Sequence, residues 1–369
     1  MRIAIVAPER NPVPPVLGGS VEIAIWAVAK ELAKRHSVTV YSRRTRRYPA
    51  ASFDSGVEFV RVSTGSPRTY LENVMREMAG NPFDVVQIDN RPNFVAPIKA
   101  QHPLAVVSLF LHSLTYVTPP YGGDSETLAG IDAADLVLVN SHSLHFRLQE
   151  RFPFASGKIR TVWLGVDTDR FRPAERKKTG RAMTLLFAGR LIPRKGLPVL
   201  LKAVKFARAE SPRPLHLVIA GGALKKGYSR KLRGLARSLG IRATFLGTVP
   251  HRRIHRIYRN ADVFVCPSQK HEAFGLVNVE AMSTGLPVIA SEIGGIREIV
   301  AHDRSGLLVS DYRSPRAFAE AILRLAREPL LLGAMKQEAR LDCLNRFSWS
   351  ATAERLDQIY ASPFSPEED

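Results

Sequence analysis

Two glutamates, Glu272 and Glu280, have the spacing and surroundings that most favour chemistry in this sequence. Apolar runs on either side predict buried strands, and residues 276–284 predict a helix that stops at Gly285. The first turn of such a helix has backbone N–H groups without intrahelical partners, and these groups and the helix dipole attract an anion. Glu272 falls in the loop before the helix and Glu280 one turn into it. This unit is therefore expected to hold a phosphate beside polyhydroxyl groups.

A second loop strengthens that interpretation, since either glutamate taken alone would most simply be a solvated side chain. The loop AGRLIPRKG places Arg190 and Lys195 at another predicted strand-to-helix turn. An arginine can fork onto phosphate oxygens, and a lysine supplies a mobile point charge. The loop lacks the G-x-x-x-x-G-K-[ST] pattern of a P-loop, so the sequence does not favour an ATPase.

The N-terminal region contains a third candidate loop. Gly18 and Gly19 lie between a predicted strand at 3–7 and a predicted helix at 21–35, for which Ser20 is the expected N-cap. Without Cβ atoms the two glycines allow a ligand or another backbone segment to approach, although a plain tight turn is the alternative. The loop lacks G-x-G-x-x-G, which argues against a dinucleotide-dependent oxidoreductase.

His112 directly follows the apolar run at 105–111. Loops at the carboxyl ends of parallel strands carry function in α/β proteins, so this position raises the chance that His112 is functional. A lone histidine is otherwise more often structural.

Strand and helix patterns alternate along the whole chain, which predicts an α/β fold with mostly parallel sheets. Residues 1–168 are expected to form one domain, completed by 350–369, and residues 183–349 a second. The polar stretch 169–182 is the expected linker. The predicted strands cover 3–7, 37–41, 57–62, 84–88, 105–111, 136–139, 159–163, 184–188, 216–220, 243–246, 263–266, 288–290 and 306–309.

The composition narrows the class of protein. No apolar run approaches the ~20 residues of a membrane span, and the N-terminus reaches charge and proline too early for a signal peptide. The only cysteines, Cys266 and Cys343, indicate neither a disulfide scaffold nor a metal cluster. A cytoplasmic protein is expected.

The formal net charge of +19 favours an anionic partner. Solvated faces and steering of an anionic substrate are both compatible with it, and an anionic membrane surface is a further candidate. Nucleic acid is disfavoured, because no zinc-ligand spacing, ribonucleoprotein motif or basic zipper accompanies the basic residues. The oligomeric state stays open. The basic clusters are Arg43 to Arg47, Arg176 to Arg181, Lys225 to Arg237 and Arg252 to Arg259.

These motifs, in this order, resemble the retaining glycosyltransferases of family 4, and the resemblance covers nearly the whole chain. It rests on the E-x7-E element at 272–280, the GRL…KG loop at 189–196, the GVD turn at 165–167 and the N-terminal GG loop. The resemblance implies the GT-B fold, with two Rossmann-like domains facing each other across a cleft and a C-terminal helix that returns to the first domain. FDVVQIDNRPNFVAPIKA and the opening segment are further similar to spore coat protein SA-like bacterial members.

The resemblance also implies a nucleotide-sugar donor, a UDP-sugar or else a GDP- or ADP-sugar, bound mainly by the second domain. The resemblance implies that Arg190, Lys195, the backbone at Phe274 and Gly275 and the Gly18–Gly19 loop bind the diphosphate. It implies that Glu280 binds the ribose hydroxyls and Glu272 the hydroxyls of the transferred sugar. His112 would line the reacting face, and the 247–250 loop, which includes Val249, would contact the base.

The chemistry agrees with these implied roles. Breaking a sugar–phosphate bond develops negative charge on the diphosphate, which fixed cations and a helix N-terminus stabilise without a metal ion. The resemblance therefore implies a metal-independent, retaining transfer of a hexose or N-acetylhexosamine to a hydroxyl acceptor on a glycan, a lipid or a small molecule. One alternative is a spore coat or envelope structural protein that keeps the fold and binds nucleotide with little or no transfer. Another is an epimerase or phosphorylase of the same architecture.

Overall fold

The structure of this chain is a computed structural model that describes residues 1–175, 182–223 and 225–365. It forms two compact units. The first consists of Met1–Gly165 together with Trp349–Asp369, and the second of Val166–Ser348. Among the described residues, no helix is both long and apolar enough to cross a bilayer.

The strands follow the apolar runs of the sequence closely, since strands buried on both faces read as continuous Val, Ile and Leu segments. In the first unit they are β1 (Arg2–Val6), β2 (Ser37–Arg43), β3 (Ala51–Asp54), β4 (Val57–Val62), β5 (Val85–Asp89), β6 (Val106–Leu111), β7 (Leu136–Val139) and β8 (Ile159–Thr161), and in the second β9 (Met183–Ala188), β10 (Leu215–Ala220), β11 (Ala243–Gly247), β12 (Val263–Cys266), β13 (Val288–Ser291) and β14 (Gly306–Val309).

Helices connect these strands and cover the sheets. They are α1 (Ser20–Leu32), α2 (Pro67–Met78), α3 (Pro92–Gln101), α4 (Ser125–Ala133), α5 (His142–Arg151), α6 (Leu197–Glu210), α7 (Tyr228–Ser238), α8 (His251–Tyr258), α9 (Leu276–Ser283), α10 (Ile296–Ile299), α11 (Pro315–Arg327), α12 (Pro329–Arg346) and α13 (Trp349–Ala361). The last helix belongs to the first unit, as the sequence predicts. Within this unit, Oδ1 of Asp357 in α13 lies 2.7 Å from Nε2 of His36, and the Thr352 hydroxyl donates a hydrogen bond to the Trp163 carbonyl at 2.9 Å.

The first sheet reverses its strand order beside β1. In the described part of this unit the order is β3-β4-β2-β1-β5-β6-β7-β8, and every pair is parallel except β3 with β4. Ile3 of β1 pairs with Val38 on one side and Val85 on the other. The chain thus adds strands first on one side of β1 and then on its other side. Ligands of open α/β sheets bind at the carboxyl ends of the strands at such a reversal.

The second sheet has the same kind of reversal beside β9. Its order in the described residues is β11-β10-β9-β12-β13-β14, and all its strands are parallel. Its core is apolar and lies between the sheet and the flanking helices, with Leu185, Leu217 and Phe318 almost fully buried. The loops that follow β9 and β12 therefore emerge side by side at the topological switch point.

Three local features differ from the sequence predictions. Ser20 is the first residue of α1 rather than its N-cap, and Gly19 occupies the N-cap position. The short antiparallel strand β3 was not predicted, because ASFD is exposed and lacks an apolar run. Residues 169–175, expected in the linker, pack within the second unit, where Phe171 is fully buried. Residues 176–181 of that expected linker lie outside the described residues.

Candidate functional site

Lys195 and Glu272, which the sequence singled out from separate motifs, meet in the second unit. The Lys195 Nζ atom lies 2.5 Å from Oε2 of Glu272, and both side chains are mostly buried. They come from the loops after β9 and β12. Gly196 makes this contact possible, because its φ is +70° and a Cβ there would lie 1.7 Å from the Pro267 carbonyl oxygen. Only glycine lets the two loops touch at this point.

Glu272 is held as an anion. Ser268 donates a hydrogen bond to its Oε2 at 3.2 Å. Burial would raise the pKa of Glu272, but the charge and hydrogen bond of Lys195, the charge of Arg194 and the Ser268 hydroxyl outweigh burial and lower that pKa. Its backbone is fixed as well, since the Gly295 N–H donates to the Glu272 carbonyl at 2.9 Å.

Helix α9 begins at Leu276, four residues after Glu272. Gly275 is its N-cap with φ +102°, so no capping side chain covers the first-turn N–H groups. The preceding Phe274 is buried, and its ring packs edge-on against Phe347 with centroids 6.0 Å apart. At the other end, Gly285 has φ +73°, which confirms the predicted left-handed stop.

Glu280 is buried inside the second unit and does not lie on a solvated helix face. Its Oε1 is 2.7 Å from Nε2 of His251, and its Oε2 accepts a hydrogen bond from the Tyr258 hydroxyl at 2.9 Å. Nδ1 of His251 lies 3.4 Å from Nη2 of Arg170. A guanidinium can only donate, so Nδ1 accepts and Nε2 carries the hydrogen that His251 donates to Glu280.

These contacts leave Glu280 able to bind more. An ionised carboxylate has about four lone-pair sites, and His251 and Tyr258 occupy two of them. Tyr258 is fully buried, and burial together with the charge and hydrogen bond of Glu280 raises its pKa far above the usual range, so the hydroxyl keeps its proton. Phe171 packs against both partners, with ring centroids 5.7 Å from His251 and 5.8 Å from Tyr258.

Two other predicted residues of the second unit lie on the same loops. Arg190 is exposed and stands two residues after the end of β9, on the loop that carries Lys195. Val249 is half-buried in the loop between β11 and α8, two residues before His251. The phosphate contact of Arg190 and the base contact of Val249 stay predictions.

In the first unit, His112 is tied to a carboxylate that the sequence did not single out. Its Nε2 lies 2.7 Å from Oδ1 of Asp89, the last residue of β5, and both side chains are at least 95% buried. The other oxygen of Asp89 accepts from Gln87 Nε2 at 2.8 Å, and Gln87 Oε1 accepts from the Tyr360 hydroxyl at 2.7 Å. This buried chain links α13 to His112.

The hydrogen bonds also define the tautomer of His112. The Asp89 carboxylate only accepts, so Nε2 of His112 carries a hydrogen. Its Nδ1 is buried and has no hydrogen-bond partner among the residues that the structure describes. The ring stacks on Phe110 with centroids 4.4 Å apart. Nδ1 is therefore the ring nitrogen of His112 that the contacts of the described residues leave unused.

The Gly18–Gly19 loop follows β1 of the same unit, and its two glycines differ. A Cβ at Gly19 would lie 2.1 Å from Oε2 of Glu22, whereas one at Gly18 would meet nothing within 4 Å. Glu22 is buried and accepts a hydrogen bond from Asn11 at 3.1 Å. Burial raises its pKa, against the lowering effects of its own backbone amide, Asn11 and His112. The space beside Gly19 thus belongs to Glu22, and that at Gly18 is open.

Sequence reasoning missed Asp89, Glu22, His251 and Tyr258. A signal existed for two of them, because His251 and Tyr258 are seven residues apart and fall on one side of a helix. Within the described ranges, no group of three or more His, Cys, Asp or Glu side chains is arranged to hold a metal ion.

The chain matches two family models in tandem. Residues 18–170 match the model described as Glycosyltransferase Family 4, and residues 167–342 the model described as Glycosyl transferases group 1. Their order follows the order of the two structural units.

Two curated proteins illustrate the similarity along the full chain. Spore coat protein SA of Bacillus subtilis strain 168 is 31% identical over 377 residues, covering 98% of this chain and 99% of that protein. A D-inositol 3-phosphate glycosyltransferase of Corynebacterium glutamicum strain R is 29% identical over 420 residues, covering 98% and 96%.

Solved structures show the same fold. Sucrose-phosphate synthase from Thermosynechococcus elongatus superimposes with a TM-score of 0.82 at 24% identity, covering 98% of this chain and 99% of that chain. Anabaena HepE in complex with UDP and glucose superimposes with a TM-score of 0.76 at 19% identity, covering 98% and 100%.

Proposed function

Because this chain belongs to the family 4 glycosyltransferases and has the GT-B fold, we propose that it transfers a hexose or N-acetylhexosamine from a nucleoside diphosphate donor to a hydroxyl acceptor. The transfer retains the anomeric configuration and needs no metal ion. One observation carries the proposal: the Lys195–Glu272 pair lies at the switch point of the second sheet, and Glu272 stands four residues before the first residue of α9, whose N-terminus has no side-chain cap.

The cations of this site act on the donor diphosphate. The charge of Lys195 is balanced by Glu272. A lysine ammonium is a compact charge on a flexible stem, so Lys195 can turn its remaining hydrogens to phosphate oxygens without leaving Glu272. Arg190 and the N–H groups after Gly275 add to this stabilisation. As the sugar–phosphate bond breaks, these fixed groups meet the charge that develops on the leaving diphosphate.

Glu280 binds the ribose of the donor. Two of its lone-pair sites accept no hydrogen bond from the described residues and suit the two vicinal hydroxyls of a ribose, and its bonds from His251 and Tyr258 hold the carboxylate in place. The 247–250 loop with Val249 lies just before His251 in the chain, which supports its assignment to the base.

Glu272 binds hydroxyls of the transferred sugar, where a carboxylate orients the ring and stabilises its oxocarbenium character. Retention follows from attack by the acceptor on the face that the diphosphate leaves, so no nucleophilic carboxylate is assigned. From the resemblance to the family, we assign His112 to the reacting face and the backbone of the Gly18–Gly19 loop to the diphosphate.

A UDP-sugar is the proposed donor, and GDP- and ADP-sugars are the alternatives. The support is the fold shared with HepE, whose structure holds UDP and glucose. The acceptor is proposed only as a hydroxyl compound. The relative named for D-inositol 3-phosphate makes that molecule a reasonable first acceptor to test.

A donor panel tests the proposal. The purified chain is incubated with UDP-, GDP- and ADP-sugars, each with and without D-inositol 3-phosphate, and released nucleoside diphosphate is measured beside the Glu272→Gln variant. Release by the wild-type chain and its loss in the variant are expected. Folded protein that releases no diphosphate from any donor and binds none of them would count against the proposal. Product analysis separates transfer from epimerisation or phosphorolysis.

A second candidate function is that of a spore coat or envelope component that binds nucleotide with little or no transfer. The similarity to spore coat protein SA over 98% of this chain favours it. Nucleotide binding without diphosphate release from any donor in the panel would support this candidate over the transferase.

A further inference from the structure

One segment of the second unit carries charge of a single sign. Residues 211–261 contain 12 Lys and Arg residues and neither Asp nor Glu. The segment includes α7, the strand β11 at the edge of the sheet, and α8. The exposed cations on α7 and in the loops that flank it are termed the basic edge. They are Lys225, Lys226, Arg230, Lys231, Arg233, Arg237 and Arg242.

The charge of the basic edge is not compensated within the chain. Among the residues that the structure describes, none of its members forms an ion pair with a carboxylate, in contrast to basic residues elsewhere such as Arg91. The two acidic residues that flank the segment form ion pairs with cations outside it. Glu210 binds Arg327 at 2.8 Å, and Asp262 lies 3.7 Å from Lys336.

The apolar side of α7 is used inside the protein. Leu232 and Ala236 are buried in the core of the second unit. Arg233 lies over the ring of Phe245 in β11, with 4.6 Å from its guanidinium carbon to the ring centroid. The helix therefore turns charge outward and has no free apolar face to insert into a bilayer.

Two histidines of the 211–261 segment respond to the cations around them. The pKa of His255 is lowered by burial and then by the guanidinium groups of Arg259, Arg170 and Arg256. Burial and Arg242 likewise lower the pKa of His216. A local positive potential disfavours a further cation and attracts an anionic partner.

We propose that the basic edge docks this protein onto a surface of anionic phospholipid headgroups. Each Lys or Arg near such a surface contributes about 1 kcal/mol, and no groove or apolar insertion is required. A site for single-stranded nucleic acid would interleave the cations with exposed rings. Here the aromatic residues of the segment, Tyr228, Phe245 and Tyr258, are half-buried or buried. No residue of the basic edge is assigned to the donor, so the docking does not depend on the proposed transferase activity.

Vesicle sedimentation of the full chain tests the docking. Wild-type protein is mixed with phosphatidylcholine vesicles, with or without phosphatidylglycerol, from low salt up to about 1 M, where the Debye length is about 3 Å. The test variant carries Arg230→Glu, Lys231→Glu and Arg237→Glu. The control carries Arg44→Glu, Arg46→Glu and Arg47→Glu, three exposed positions of the first unit that change the net charge equally. Thermal transitions of both variants show that they are folded.

The expected result is binding that requires phosphatidylglycerol and is lost at high salt. It should weaken at least tenfold in the test variant and by less than threefold in the control. Equal weakening in both variants would overturn the assignment, because net charge alone would then explain the binding. Absence of binding to anionic vesicles, or binding to duplex DNA or polyphosphate that vesicles do not displace, would overturn it as well.

Discussion

Lys195 and Glu272 come from loops 77 residues apart in the sequence and share a hydrogen bond of 2.5 Å. The strand order explains this, because β9 and β12 become neighbours only when the sheet reverses at β9. The cation proposed for the diphosphate and the carboxylate proposed for the sugar are thereby held next to each other. Lys195 also helps to lower the pKa of Glu272 and so to hold it as an anion.

Replacing Lys195 by alanine should remove the main cation at the diphosphate. We expect kcat/KM for the nucleotide-sugar donor to fall about 30- to 1,000-fold, which corresponds to about 2–4 kcal/mol of transition-state stabilisation and is comparable to the loss of one oxyanion-hole donor. Lys202→Ala, an exposed position on α6, is the matched control and should retain wild-type kinetics. Wild-type kinetics in both variants would remove Lys195 from the site.

The lowered pKa of Glu272 makes part of the stability pH-dependent. Its folded-state pKa lies below the ordinary 4.5, so the ion pair contributes fully above about pH 4.5 and is lost as the pH falls through the lowered value. Glu272→Gln should therefore lower the melting temperature near pH 7, and the difference from wild type should shrink towards pH 3. Glu320→Gln, at an exposed position on α11, should leave the melting temperature unchanged at both pH values. A difference that is the same at both pH values would contradict the argument.

Asp89→Asn should disturb the tautomer of His112. An asparagine amide can present N–H groups to Nε2, and the imidazole then carries its hydrogen on Nδ1. Since a hydrogen bond to a charged group contributes about 1.5–3 kcal/mol, we expect kcat to fall about 10- to 100-fold. Imidazole ¹⁵N shifts, assigned by comparison with His112→Ala, report the tautomer without any assay of activity. Asp135→Asn, at a carboxylate bonded to Lys99, is the control. An unchanged tautomer in Asp89→Asn would refute the positioning role.

Tyr258→Phe should weaken donor binding more than catalysis. The change removes one of the two hydrogen bonds to Glu280 and leaves the ring packing in place. We expect the KM for the donor to rise about tenfold or more with kcat changed little, because Glu280 is assigned to the ribose. Tyr70→Phe, which removes another buried hydroxyl bonded to the Ala7 carbonyl, should leave KM unchanged. A fall in kcat alone would place Glu280 at the reacting centre instead.

Gly196→Ala should separate a steric requirement from a conformational one. Gly196 and Gly227 both have positive φ, but only at Gly196 would a Cβ meet a backbone oxygen, at 1.7 Å. A left-handed conformation costs a non-glycine residue about 1–2 kcal/mol, so Gly196→Ala and the control Gly227→Ala should both lose about this much stability. Gly196→Ala should lose clearly more stability and also the donor-dependent activity. Equal melting temperatures in the two variants would show that the loops can move apart.

Much of the fold could be predicted because it is encoded locally. Continuous apolar runs marked the parallel strands, and Gly285 marked the end of α9. β3 could not be predicted in this way, since its exposed ASFD sequence has no pattern of burial. The N-cap of α1 was misassigned to Ser20, whereas Gly19 occupies that position. The space beside Gly19 is filled by the carboxylate of Glu22, the third residue of the helix, and this contact could not be read from the sequence.

The site was predicted where a motif carried it and missed where tertiary contacts did. Asp89 was missed because it reaches His112 only once β5 and β6 pair. Phe171 stands alone in a polar stretch that was expected to be linker. Its carbonyl accepts hydrogen bonds from Arg340 at 3.0 Å and Ser283 at 2.6 Å, contacts that a pattern of composition does not reveal.

Calorimetric titration of UDP into the wild-type chain and into Lys195→Ala tests the central claim most directly. If the Lys195–Glu272 site of the second unit holds the diphosphate of the donor, the wild-type chain binds UDP at one site per chain, and the variant binds it at least tenfold more weakly. Equal affinity of the two proteins for UDP, or a wild-type chain that binds none of UDP, GDP and ADP, would contradict the claim.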